Sequence, residues 1–290
     1  MTVTSIPSLA ERIDVLASVP PGTALPDDAE SVVDQLLTAL ERGEVRAAER
    51  ANDGSWHAVP WVKRGILLGF RAGRVVPMPD EDGGDPDRPA AFFDKHTIPA
   101  RALTLKDGVR VVPGGTSIRR GAFVAAGVVC MPPAFINVGA YVGAGTMVDS
   151  HALVGSCAQI GERVHLSAAA QIGGVLEPVN AAPVIIESDA VVGGNCGVYE
   201  GTIVRSRAVL GAGVVLTRGT PVFDLVREHV YRADAGRPLE IPEGAVVVPG
   251  AREVRGGWAR TEGLSLQTPV IVKYRDDKTD TATALEQWLR

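Results

Sequence analysis

The stretch IRRGAFVAAGVVCMPPAFINVGAYV, residues 118–142, places one apolar residue at every sixth position: Ile118, Val124, Cys130, Ile136 and Val142. The series continues without a break through Val148, Val154, Ile160, Leu166 and Ile172. It then slips by two residues and resumes at Ile186, Val192, Val198, Val204, Leu210, Leu216 and Val222. The residue two places before each of these is small or β-branched, as in Ala122, Val128, Ala134, Ala140 and Thr146. A helix would repeat at 3.6 and a half-buried strand at 2, so a period of six held this long indicates a parallel β-helix of hexapeptides. Three hexapeptides close one triangular coil. The every-sixth residue points into a narrow prism and stacks on its equivalent in the next coil. Little room in the prism suits Val, Ile and Leu, which accords with 46% hydrophobic but only 5% aromatic residues. Gly121, Gly127, Gly139, Gly143, Gly145, Gly155 and Gly161 are assigned to corners, where glycine tolerates unusual backbone angles.

Two interruptions stand out. The spacing of fourteen between Ile172 and Ile186 lets the segment from Gly173 to Pro183 leave the wall as a protrusion. After Val222 a longer excursion runs to Glu240, and residues 241–250 read as a last coil. Upstream, Leu9, Ile13 and Leu16 recur at helical spacing. A second helix carries Val32, Val33, Leu36, Leu37 and Leu40, with Asp27 or Asp28 as cap and Gly43 as stop. Glu44–Arg50 reads as a short strand before the Asn52-Asp53-Gly54 turn, and Trp61–Phe70 as a further helix, basic at Lys63 and Arg64. Residues 77–100 are rich in Pro, Asp and Gly and read as a linker. Downstream come an apolar strand, Pro269–Val272, and a terminal helix bearing Ala282, Leu285, Trp288 and Leu289. The chain therefore divides into residues 1–100, a helical domain with linker; 101–250, the β-helix; and 251–290, a strand and helix cap. A solenoid needs its open ends covered, and the flanking units are the candidates for that task.

Composition narrows function. A net charge of −5 and a pI of about 5.6 argue against a general nucleic-acid role. No apolar run reaches the ~18 residues of a membrane span, and residues 1–9 have neither the basic start nor the apolar core of a signal peptide. Cys130, Cys157 and Cys196 are far apart and form no C-x-x-C pair. They read as packed free thiols in a reducing cytoplasm, with no metal site.

The strings within the repeat are more specific than the period. They include Gly108–Pro113, Ile136–Val142, Gly145-Thr146-Met147-Val148-Asp149, Val154–Gly161, Val164-His165-Leu166-Ser167 and Gly173-Gly174-Val175-Leu176-Glu177-Pro178. Together they closely resemble the tetrahydrodipicolinate N-succinyltransferase family, densely over the repeat and more loosely over the N-terminal helices, Phe93–Lys95 and Val270–Lys273. The resemblance implies a mainly β fold: a left-handed parallel β-helix with an N-terminal α-helical domain and a small C-terminal cap. It implies a homotrimer with active sites between subunits, and small-molecule substrates without nucleic-acid or membrane partners. Succinyl-CoA would be the co-substrate, with no permanently bound cofactor. The acceptor would be tetrahydrodipicolinate reacting as L-2-amino-6-oxopimelate, in the diaminopimelate route to lysine.

Acyl transfer to an amine requires loss of a proton, stabilisation of an oxyanion and positioning of both reactants. Arg110 and Asp149 match the positions with which the family holds the acceptor, and Asp149 is suited to draw off the amine proton. The family's second acid falls at Gly197 here, and a glycine cannot act as a base. Asp149 then works alone, or Glu200 or Glu177 substitutes, or water relays the proton. His151 stands where the family pattern has Trp, so His151 and His165 need weighing as bases. Ser167, Ala168 and the following alanines are candidates to line the pantetheine arm, and Lys273 to meet a phosphate or carboxylate of the donor. Arg119 and Arg120 are either an anion-binding pair or a solvated one. Two other readings remain: an acyltransferase using acetyl-CoA or another amine acceptor, and a non-catalytic trimeric scaffold.

Overall fold

The computed structural model describes residues 6–78, 92–234 and 236–276. The terminal helix expected around Ala282–Leu289, and most of the Pro/Asp/Gly-rich linker, lie outside the described residues.

From Arg110 onward the chain winds as a three-walled parallel β-helix. The first wall starts at Arg110–Val111 and stacks Val129–Cys130, Met147–Val148, His165–Leu166, Val191–Val192 and Val209–Leu210. The second starts at Ser117–Ile118 and rises through Phe135–Ile136, Leu153–Val154, Gln171–Ile172 and Gly197–Val198 to Val215–Leu216. The third runs from Phe123–Val124 through Tyr141–Val142, Gln159–Ile160, Ile185–Ile186 and Ile203–Val204 to Glu240–Ile241. In each two-residue strand the second residue points inward. Val142, Val148, Val154, Ile160, Leu166 and Ile172 are all fully buried. Each such side chain contributes on the order of 1.5–3 kcal/mol of burial, and the stack forms one continuous core.

Within the solenoid the structure corrects the sequence reading at four points. First, Ile186 is the wall residue directly following Ile172. Consecutive strands are normally six apart and these are fourteen apart, so eight residues are inserted rather than two. A period of six cannot distinguish a shift of two from a shift of eight. Second, Val222 is buried in the core but is not the next rung of the third wall. Its strand, Val222–Asp224, pairs with His229–Tyr231 and with Val270–Ile271, and the third wall resumes only at Glu240–Ile241. Both insertions therefore leave from the corner between second and third walls. Third, residues 241–250 do not close a coil, because the strand Ala245–Glu253 runs straight on and pairs antiparallel with Ser265–Tyr274. Fourth, the corner glycines serve two purposes. Gly121, Gly127, Gly139 and Gly145 have positive φ. Gly143, Gly155 and Gly161 do not. They let successive coils touch, since a Cβ on Gly143 would sit 2.6 Å from the carbonyl carbon of Gly161.

The helices α1 (Ile6–Ala17), α2 (Ala29–Glu41) and α3 (Pro60–Ala72) form their own core, which also takes in Val138 and Cys157 from the β-helix. Asp28 occupies the N-cap position of α2, but its carboxylate pairs with Arg12 at 2.6 Å instead of capping. The bundle does not plug an open end. It packs on the side of the prism, along the corner where both insertions leave: Leu37 lies against Gly121, and Ile66 against Gly139. The lower end is closed instead by the segment around Leu103 and Val109, with Arg101 Nη1 donating to the Ala122 carbonyl. At the upper end Ile271 and Tyr274 join the core, so the C-terminal hairpin is the cap. The three cysteines are free and buried, and burial pushes the Cys130 and Cys157 thiols up to about 12.

Candidate functional site

The first wall is longer than its hexapeptides. The hairpin Ala245–Glu253/Ser265–Tyr274 pairs onto Val209–Leu210 and, with Val222–Asp224 and His229–Tyr231 beyond it, extends it into a ten-stranded sheet. Register shows which side chains share the outer face. Arg110 pairs with Val129, Val129 with Met147, Met147 with His165, His165 with Val191, Val191 with Val209, Val209 with Val246, and Val246 with Lys273. Arg110 and Lys273 therefore mark the two ends of one outward row, seven strand spacings apart. At ~4.8 Å per spacing that is roughly 34 Å.

Asp149 lies where this wall turns into the second. Its Oδ1 accepts from the Ser150 amide at 2.7 Å, and its side chain is 30% exposed, open to a ligand from one side. His165 lies one coil above, with Nε2 4.0 Å from Asp149 Oδ2, beyond hydrogen-bond reach. Ser167 and Ala168 stand one coil above Asp149 on the same corner, where the Ala169 amide donates to the Ser150 carbonyl at 2.8 Å. His151 is exposed on that corner with φ 62°. Its carbonyl accepts from Gln171 Nε2 at 3.0 Å. The wall thus gathers a carboxylate, an imidazole, a hydroxyl and small residues within two coils, with cations at either end of the row. Such a surface can hold an extended anionic ligand and take a proton midway along it.

Glu200 and Glu177 lie elsewhere. Glu200 is an exposed corner residue between second and third walls, and its Oε2 accepts from the Arg218 amide at 2.7 Å. Glu177 projects from the eight-residue insertion at the same corner. The full width of the second wall, roughly 15–20 Å by strand rise, separates them from Asp149 within one chain. One chain alone does not bring Asp149 and Glu200 together. Lys273 Nζ is 3.4 Å from Asp276. Arg119 and Arg120 hold carboxylates of the N-terminal region, Arg119 pairing with Asp94 and Arg120 with Asp34 and Glu41. They tie that region to the β-helix and are not a free anion site. Among the described residues no group of three or more His, Cys, Asp or Glu is placed to hold a metal ion, and no helix is long and apolar enough to cross a membrane.

Two further residues pack around the second wall and its insertion. Tyr199 lays its ring on the outer face of Gly197 and against Gly173. Lys63, one of the two basic residues read in α3 from the sequence, is fully buried, and its Nζ donates to the Ala181 carbonyl at 2.5 Å. Burial lowers its pKa. The Tyr199 contact follows from a glycine two residues before a tyrosine, on either side of inward Val198, and that spacing is visible in the sequence. The burial of Lys63 depends on where the insertion folds back, which leaves no local signal.

Residues 17–72 match the family described as tetrahydrodipicolinate N-succinyltransferase N-terminal, and residues 183–218 match the hexapeptide repeat of succinyl-transferase. A 2,3,4,5-tetrahydropyridine-2,6-dicarboxylate N-succinyltransferase of Nitrobacter winogradskyi is 42% identical over 283 residues, covering 96% of this chain and 95% of its own. Proteins of the same name from Bradyrhizobium diazoefficiens and Polynucleobacter asymbioticus are 43% and 41% identical, covering 92% and 94% of this chain and the same shares of their own.

Proposed function

The chain belongs to the tetrahydrodipicolinate N-succinyltransferase family, and from that premise we propose that it transfers a succinyl group from succinyl-CoA to the amine of tetrahydrodipicolinate in its ring-opened form. The amine nitrogen attacks the thioester carbonyl and a tetrahedral oxyanion forms. It collapses to the amide with loss of CoA as its thiolate, and the amine proton passes to a base. The observation that carries this reading is 42% identity over 96% of the chain, joined to a first wall whose outer face carries Arg110, His165 and Lys273 and whose corner carries Asp149 and Ser167.

In this reading Arg110 binds an acceptor carboxylate, since its planar fork suits that group. Asp149 holds the amine and takes its proton. Ser167 and Ala168 line the pantetheine arm, and Lys273, at the far end of the row, meets an anionic group of the donor. Asp149 and Glu200 are separated within one chain, so any joint role requires a neighbouring subunit. A homotrimer with sites between subunits supplies that arrangement, and Glu200 then acts across the cleft. Buried unpaired thiols suit a reducing cytoplasm.

A second reading, an acyltransferase with another donor or amine acceptor, is favoured by one observation. Position 197 carries no side chain, and the Tyr199 ring covers it. Following CoA release by the purified protein with succinyl-CoA against acetyl-CoA, and 2-aminopimelate as acceptor mimic, separates the two. Faster release with succinyl-CoA is expected. Equal or faster release with acetyl-CoA overturns the donor assignment, and no release with either overturns both enzyme readings.

A further inference from the structure

The third wall bears a feature that acyl transfer does not use. The hairpin Ala48–Arg50/Trp56–Ala58 folds over its outer face and, with Arg46, encloses a cleft of ≈ 280 Å³. Arg46 is held rigidly. Its Cζ lies 3.6 Å from the centroid of Tyr141, and Phe123 stacks behind Tyr141 at 4.5 Å. Trp56 flanks the guanidinium at 5.6 Å. Arg46 Nε donates to Gln159 Oε1 at 2.9 Å. Gln159 is itself buried and oriented by donating to the Cys157 carbonyl at 2.8 Å, so its oxygen faces Arg46.

Among the described residues Arg46 makes no ion pair, and its Nε bond is its hydrogen bond. Arg46 lines a cleft whose one buried acid is already taken. Glu187 accepts from Trp56 Nε1 at 3.0 Å, Arg205 Nη1 at 2.9 Å and the Ser206 amide at 3.1 Å, with Arg50 at 3.6 Å. Burial also pulls the Arg46 pKa down, partly offset by Tyr141 and Glu49. A partly desolvated cation with unused donors is costly unless something completes it. The edge of a guanidinium fits a planar carboxylate bidentately. Ser188 lines the same cleft, accepting from the Glu162 amide at 3.1 Å, which leaves its hydroxyl proton to donate. Trp56 supplies an apolar side for a short carbon chain.

We propose that this cleft is a second, non-catalytic site for a small organic carboxylate, clamped by the Nη groups of Arg46 against Tyr141 and Trp56. It lies on a different wall from Asp149, His165 and Ser167, under the hairpin that joins α2 to α3. A bound carboxylate ties that hairpin to the β-helix and stabilises the folded chain by mass action.

The test is calorimetric titration and thermal melting of the full chain with acetate, succinate and inorganic phosphate. Succinate or acetate is expected to bind once per chain and raise the melting temperature. Arg46→Lys, which keeps the charge but loses the fork, is expected to weaken binding about tenfold or more. Ser188→Ala weakens it less, and its unchanged melting in probe-free buffer guards against a folding defect. Arg110→Ala, on the first wall, is expected to leave binding intact, which separates this site from any succinate bound there. The proposal is overturned if neither carboxylate binds at about 10 mM. It is equally overturned if Arg110→Ala abolishes binding while Arg46→Lys retains it, or if phosphate binds more tightly than both carboxylates. CoA release is scored separately, so failure here leaves the catalytic reading untouched.

Discussion

The ring of Tyr199 lies on Gly197, so that a Cβ at position 197 would press on the ring edge and sit 2.9 Å from both Cζ and the hydroxyl oxygen. The two residues flank inward Val198, Gly197 opening the strand and Tyr199 directly following it. The glycine is there because the tyrosine uses its space. Gly197→Ala is expected to cost about 1–3 kcal/mol through the displaced ring. In a Tyr199→Ala background the same change is expected to cost little, because the conflict is gone. Chemical denaturation of the four proteins measures the coupling. Additive effects would show that the ring moves aside freely.

Among the described residues of its corner Asp149 is the carboxylate, accepting a hydrogen bond from the Ser150 amide with His165 Nε2 4.0 Å away. Asp149→Asn keeps the shape and that hydrogen bond but cannot take a proton. Turnover in the CoA-release assay is expected to fall by about 10² or more, with the oligomeric state unchanged. Unchanged turnover would move the base elsewhere, and Glu200→Gln would be the next variant to assay.

The β-helix was legible because its core is a one-dimensional stack, where each inward position meets only its equivalents one coil away. Val124, Val142 and Ile160 announce the third wall by spacing alone. Spacing was silent on the length of the insertion after Ile172, on the fate of Val222, and on where the helices dock. Each of these depends on contacts between segments distant in sequence, such as Leu37 on Gly121 or Lys63 on Ala181. The candidate site was half visible. The strings around Asp149 and His165 marked a wall, but Lys273 joins that wall only through the pairing of Val246 with a C-terminal strand.

Acid should loosen the join between hairpin and third wall. Burial pushes the Glu187 carboxyl up, but hydrogen bonds from Trp56 and Arg205 outweigh this and hold it below its ordinary 4.5. As pH falls, the unfolded chain therefore takes up this proton first. The contribution is full above the ordinary value and is lost as pH falls through the lower folded one. Glu187→Gln is expected to cost about 1–3 kcal/mol at pH 7. The gap to wild type should shrink towards about pH 3. Urea denaturation at both pH values reads this out, and a gap of constant size would mean that another carboxylate governs the acid limb.

Gly155 and Gly127 are both coil glycines, yet they should answer differently to alanine. Gly127 needs its positive φ of 80°, but a Cβ there finds its nearest neighbour at 3.6 Å. The penalty for Gly127→Ala is backbone strain alone, about 1–2 kcal/mol. Gly155 has no positive φ to protect, but its Cβ would lie 2.6 Å from the Gly174 Cα, and backbone cannot swing aside as a side chain does. Gly155→Ala must therefore push neighbouring coils away from each other at the root of the insertion, where the Val175 amide donates to the Ser156 carbonyl at 3.1 Å. Its cost should exceed that of Gly127→Ala, at about 3 kcal/mol or more. Amide exchange should accelerate from Val175 through the loop that carries Glu177, while Val129 and its neighbours stay protected. A uniform loss of protection in both variants would argue that the coils open as one unit and that the close approach at Gly155 has no local role.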